Sequence, residues 1–290
     1  MSYLLPRYVF DTTFDKKKTL VMNIGSTRVN LEILRNSSDE CLFDKRVFKR
    51  FFKTLLNIIH GASSNRRKQI NIKYYQTFNK KCLPPKRGQE LTSKHVNSGL
   101  CYTNSGIHNL NIVIHRHEEF YKVLVHEMLH LYDVIPYDET IQKTYENIYP
   151  GISHLNVNES FVELNAIIIN SIIIHSIHSI PFNFLIEREY KWSCNQMNKL
   201  LHHFGTKPDI DDINNSAWKE STAAFSYYIL KTILMQDTMF NKWKFNPNIT
   251  NKKQFENVNK KSLMMTINDV NNHQNLLKEI ANDKIINKTQ

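Results

Sequence analysis

Apolar and polar residues alternate along 19–24 and 29–34, on either side of Gly25-Ser26-Thr27, which predicts a β-hairpin. From 44 to 60 (DKRVFKRFFKTLLNIIH) the period lengthens. Val47, Phe48, Phe51, Leu55, Ile58 and Ile59 recur at helical spacing opposite a Lys/Arg face, after an acidic start, so an amphipathic helix is expected. The Ile- and Tyr-rich stretch 69–78 reads as a strand. Residues 79–109, with Pro84-Pro85, Gly88, Gly99 and Gly106 among polar residues, read as mostly irregular. A short strand at 110–115 (LNIVIH) leads into a helix at 118–134 (EEFYKVLVHEMLHLYDV), which Pro136 terminates. Helical spacing returns at 138–148, 157–178, 184–204, 217–238 and 267–283, with turn signals at Pro150-Gly151, Pro181, Gly205 and Pro208. The Ile-rich stretch 167–180 also satisfies strand propensity, and Tyr227 and Tyr228 read as core residues of an apolar helix. The order predicts an α+β protein, with a small mixed β-sheet in the N-terminal half and a mostly helical C-terminal half. Two regions are expected, a basic α+β region over 1–109 and a second over 110–290, which the pattern also allows as one continuous domain.

With 290 residues, 41% hydrophobic and 22% charged, the chain can bury a core of one large or two small domains, and a mostly disordered chain is excluded. Four cysteines without a C-x-x-C pair argue against a disulfide framework or a cysteine zinc site and for reducing surroundings. The N-terminus, MSYLLPRYVF, lacks a basic segment followed by a long apolar run, so no secretory signal and an intracellular, cytoplasmic location are expected. Abundant Asn, Ile, Lys and Tyr suggest an AT-rich genome such as that of a large DNA virus or a parasite, the viral case placing the protein in a host cell or virion. The most apolar stretch, 164–180, is interrupted by Asn165, Asn170, Ser171, His175, Ser176, His178 and Ser179, so no membrane span is expected. The net charge of +11 is uneven: residues 1–100 hold 20 Lys/Arg against 7 Asp/Glu, and the remainder 18 against 20. Such a field attracts nucleic acid, acidic protein segments or anionic lipid. No RNP motif, zinc finger or Gly-rich phosphate loop accompanies it, and a solvated face explains it equally well.

The chemistry concentrates in His126-Glu127-Met128-Leu129-His130, an H-E-x-x-H on a predicted helix. Positions i and i+4 lie about 40° apart around a helix, so both imidazoles can share a metal, with Glu127 beside them. Thirteen His and fifteen Glu in random order would yield this motif roughly 0.03 times per chain. Downstream, the metzincin extension is excluded, because its glycine and third histidine positions hold Asp133 and Pro136. Asn158-Glu159-Ser160-Phe161-Val162-Glu163 follows His130 by 29 residues on a second predicted helix. Glu159 and Glu163 stand one turn apart there, so one can bind metal while the other orients a ligand histidine.

These two motifs in this order resemble those of the gluzincin zinc metallopeptidases. H-E-M-L-H with Leu131-Tyr132-Asp133, then N-E-S-F-V-E, is most similar to lethal-factor-type members, with H-E-x-x-H-x-x-D and a later E-F-F-A-E, over about residues 110–170. The resemblance implies a zincin-like fold and a catalytic core within 110–290. It also implies Zn2+ held by His126, His130 and Glu159, Glu127 as general base, and Glu163 and Asp133 behind the ligands. It makes the strand at 110–115 the edge strand that pairs with substrate backbone. An oxyanion-stabilising Tyr or His is expected, with Tyr149 and His154 as candidates; downstream tyrosines can also line a zincin cleft, which leaves that alternative open for Tyr227 and Tyr228. The function expected is hydrolysis of peptide bonds in a protein or peptide substrate, with acidic substrates included by the basic charge of residues 1–100. The competing reading is a non-catalytic protein on the same scaffold, binding nucleic acid or an acidic partner through residues 1–100.

Overall fold

The computed structural model describes residues 14–40, 43–102 and 111–240. Strands β1 (Lys16–Ile24) and β2 (Thr27–Arg35) pair antiparallel with Ile24 opposite Thr27, and Gly25 makes the tight turn at a φ of +59°. Asp44 caps helix α1 (Lys45–Ala62), its carboxylate accepting from Arg46 N at 2.6 Å and Val47 N at 3.1 Å. Of the predicted stripe, Phe48, Phe51, Leu55 and Ile59 are buried and Val47 and Ile58 half-buried; Phe52 and Leu56, outside that stripe, are buried too, and all six buried residues join one core with Val29, Leu31 and Ile33 of β2. Each such fully buried side chain stabilises the fold by about 1.5–3 kcal/mol.

Strand β3 (Gln69–Tyr75) pairs parallel with β2, and β5 (Ile112–Ile114) pairs parallel with β3. A short strand, β4 (Gly99–Cys101), lies antiparallel on the outer side of β5, giving the order β1-β2-β3-β5-β4. The strand at 110–115 is therefore internal, and the edge belongs to β4, within the stretch expected to be irregular. Three residues led by a glycine carry no alternation signal, and β4 exists only through its pairing with β5. Short helix α2 (Ser93–Val96) precedes it. The fully buried Arg116 guanidinium donates to the carbonyls of Asn79 (2.6 Å), Lys94 (2.9 Å) and Asn97 (3.3 Å), which anchors this segment beside the sheet.

Helix α3 (Phe120–Leu131) follows β5, then α4 (Glu139–Ile148), α5 (Val157–His178), α6 (Phe182–Phe204) and α7 (Ile210–Asn214). Helix α5 takes the Ile-rich stretch, because its apolar residues find partners on all sides of a helix in the core. It is long and apolar enough to cross a membrane, yet 61% of its most apolar 18-residue window is buried inside the fold, as in a central helix. The expected helix at 217–238 begins later, as a π-helical turn (Ser226–Leu230) continuing into α8 (Lys231–Phe240). Residues 217–219 are irregular, Glu220 bridges to Leu91 and accepts from Phe225 N at 2.9 Å, and 221–223 bend before the chain becomes helical at 224. The helix expected at 267–283 lies outside the described residues.

Candidate metal centre

Helix α3 presents His126 and His130 on one face, as their spacing requires, and the first turns of α5 bring Glu159 and Glu163 against it. His126 Nε2 and His130 Nε2 are 3.1 Å apart, and each is 3.2 Å from Glu159 Oε2. These three atoms form a nearly equilateral triangle of donors. Around a tetrahedral zinc ion with bonds of about 2.0–2.1 Å, neighbouring ligand atoms stand roughly 3.3–3.4 Å apart. The triangle is within about 0.2 Å of that spacing, and a His2Glu set is a recognised zinc donor set. The groups present therefore fit a divalent cation.

The tautomer agrees with this. His126 Nδ1 lies 2.9 Å from Glu163 Oε2, so this nitrogen keeps its proton and Nε2 is the one left to turn a lone pair towards a cation in the triangle. The other oxygen of Glu163 accepts from Lys122 Nζ at 2.6 Å. Lys122 also lies 3.8 Å from Glu119, which pairs with Lys81 at 2.8 Å and accepts from the Ser98 hydroxyl. Desolvation opposes the charge on Glu163, but Lys122 and the bond from His126 hold its carboxyl well below the ordinary carboxylate range. Likewise, Lys81 and Lys122 outweigh burial and bring Glu119 down to about 2. At His126 burial again disfavours charge, yet Glu159 and Glu163 raise the imidazole to about 10. Without a cation the triangle competes for a proton, so cation binding here displaces one.

Glu127 is buried beside the histidines, and desolvation lifts its carboxyl to about 7, with His126 and His130 pulling the other way. It faces the edge strand at Gly99. A Cβ on that residue would sit 2.5 Å from Val123 Cγ1, 3.0 Å from Glu127 Oε1 and 3.0 Å from the Val113 carbonyl. The glycine lets the edge strand pass this close to the glutamate. Tyr227, from the π-helical turn, donates its hydroxyl to Glu159 Oε2 at 3.0 Å, and its ring lies 5.8 Å from that of His126. The apolar spacing around it reads as core, and only the resemblance to zincins offers the cleft as an alternative. An apolar helix 68 residues past Glu159 carries no local sign of approaching it.

No protein-family model and no curated protein matches the chain in sequence. Among solved structures it is similar to an aminopeptidase N family protein from Idiomarina loihiensis, at 8% identity and a TM-score of 0.48 over 91% of this chain. The chain spans 46% of the length of that protein.

Three residues singled out in the sequence stand apart from this cleft. Tyr149 is fully buried and packs edge-on against Phe225 at 4.9 Å, as the C-cap of α4. His154 is exposed in the loop before α5. Asp133 is also exposed, at a φ of +47° just past α3, where its N–H bonds to the His130 carbonyl. Its carboxylate makes no hydrogen bond to a ligand histidine among the described residues.

Proposed function

We propose that this chain is a zinc-dependent peptidase. The observation that carries the reading is the triangle of His126, His130 and Glu159, with Glu127 buried beside it at a proton affinity suited to neutral pH. His126, His130 and Glu159 would hold the ion. When bound, zinc would polarise the scissile carbonyl and acidify the attacking water. Glu163 keeps His126 in the tautomer that presents Nε2, and Lys122 keeps Glu163 ionised for that purpose. Glu127 takes the proton of the attacking water and returns it to the leaving amine; a base near pH 7 performs both transfers without a large mismatch. Tyr227 is the side chain proposed to donate to the oxyanion developing on the scissile carbonyl, in place of Tyr149 or His154. The edge strand β4, rather than the strand at 110–115, offers free backbone groups to an extended substrate.

Replacing Glu127 with Gln tests this. The variant is expected to bind one zinc per chain while losing at least about 100-fold in peptide hydrolysis, the ordinary contribution of a general base. Cleavage at the parental rate would refute the assignment.

A further inference from the structure

The cleft that holds His126 and Glu127 is also lined by Lys81, Asn97, Lys122 and Tyr228. Its carboxylates are already engaged. Glu163 serves His126 and Lys122, Glu119 serves Lys81, Lys122 and Ser98, and Glu159 belongs to the donor triangle and Tyr227. Among the described residues of the cleft, Glu127 is the carboxylate that stays uncommitted, and the hydrolysis needs it. The donors are in surplus. Among the described residues Lys81 bonds to Glu119 alone (2.8 and 3.1 Å) and keeps 20% of its side chain accessible, so a proton of its ammonium group remains for an incoming acceptor. Asn97 accepts from Thr222 through Oδ1 at 3.0 Å, and its amide nitrogen has no partner among the described residues. The Tyr228 hydroxyl likewise makes no hydrogen bond among them. Apart from Glu127, which the hydrolysis needs, the cleft is rich in donors and its carboxylates are engaged, so it is complementary to an anionic acceptor rather than to a substrate ammonium group.

We propose that this cleft takes a substrate carboxylate, the side chain of an Asp or Glu close to the scissile bond, on Lys81 with Asn97 and Tyr228 beside it. The inference rests on the peptidase reading and adds the substrate class. Lys122 is excluded from direct recognition, because its 2.6 Å bond to Glu163 locks it in place. A C-terminal carboxylate has the same chemistry as an acidic side chain, so the two sources must be separated by experiment.

The test uses the zinc-loaded Glu127→Gln chain and fluorescein-labelled octapeptides amidated at the C-terminus, scanned with Glu, Gln or Lys at one position at a time. Fluorescence anisotropy is expected to show binding about tenfold tighter for Glu than for Gln at one or two adjacent positions, the size of one charge-assisted hydrogen bond, falling as salt is raised. Lys81→Gln should bring that ratio close to one, and Lys81→Glu should favour the Lys peptide. Equal affinities across the scan in the parental background, where no folding question arises, would overturn the proposal. So would a gain confined to peptides with a free C-terminus, which would assign the cleft to an α-carboxylate. The active chain separates the two readings. Peptides cleaved without acidic preference would sink this subsite alone, whereas a Glu preference in binding with no cleavage of any peptide would sink the peptidase reading alone.

Discussion

Lys122 is the cation on which the orientation of His126 depends, and its removal has a calculable effect. Its Nζ lies 2.6 Å from Glu163 Oε1, and the two side chains are only 16% and 11% exposed. Removing one partner of a buried ion pair costs about 3–5 kcal/mol. Here Glu163 keeps its bond from His126 and Glu119 keeps Lys81, so Lys122→Met should cost about 2–3 kcal/mol, at or just below the bottom of that range. For a chain of this size that corresponds to a fall in Tm of about 4–12 °C. The pH dependence has a definite sign. The Glu163 carboxyl is depressed in the folded state, so its contribution is present above the unfolded value of 4.5 and is lost as pH falls. Lys122→Met weakens that depression and moves acid unfolding to higher pH. Zinc affinity should fall about 10–100-fold in Lys122→Met and in Glu163→Gln, because both weaken the support behind His126. A double-mutant cycle by thermal unfolding, with zinc titration of all four proteins, isolates the link, and a coupling of about 1–3 kcal/mol is expected. Additive losses, or unchanged zinc affinity in Lys122→Met, would refute the chain of support from Lys122 to His126.

Gly99→Ala places a methyl group against Val123, a β-branched helical residue with little rotamer freedom, and against a backbone carbonyl, so about 1–3 kcal/mol of stability should be lost. Hydrolysis should fall more than the loss of fold explains, because Glu127 must yield as well; a variant as stable and active as the parent would contradict the contact. Glu220 is raised to about 8 by burial, so the folded state holds its proton while the unfolded chain releases it above 4.5. Stability therefore declines between those values, and Glu220→Gln should stabilise the chain by at least about 1 kcal/mol at pH 8 and by progressively less towards pH 5. A denaturation difference that does not vary with pH would rule this out.

The elements legible in the chain were those with a strong period of their own. The hairpin around Gly25, the stripe from Phe48 to Ile59 and the helix bearing His126 all declare themselves through spacing, since their partners lie one turn or one strand position away. The donor set was legible for the same reason: His126 with His130, and Glu159 with Glu163, are each one helical turn apart. Strand β4, the π-helical turn and the inward course of Tyr227 have no such local record. Gly99 to Cys101 becomes a strand only because β5 offers unpaired backbone groups, and Tyr227 reaches Glu159 only because the chain returns 68 residues later.

The residue types and their helical spacing thus settled which side chains could ligate a cation and which helices would carry them. Tertiary structure decided that these two helices meet with three donor atoms 3.1–3.2 Å apart, that Lys122 stands behind Glu163, and that Tyr149 and His154 lie away from the cleft. The reason is one of range. A helical period relates residues one turn apart, whereas the meeting of α3, α5 and the 226–230 turn follows from burying the apolar faces of all three in one core, and that depends on the whole chain at once.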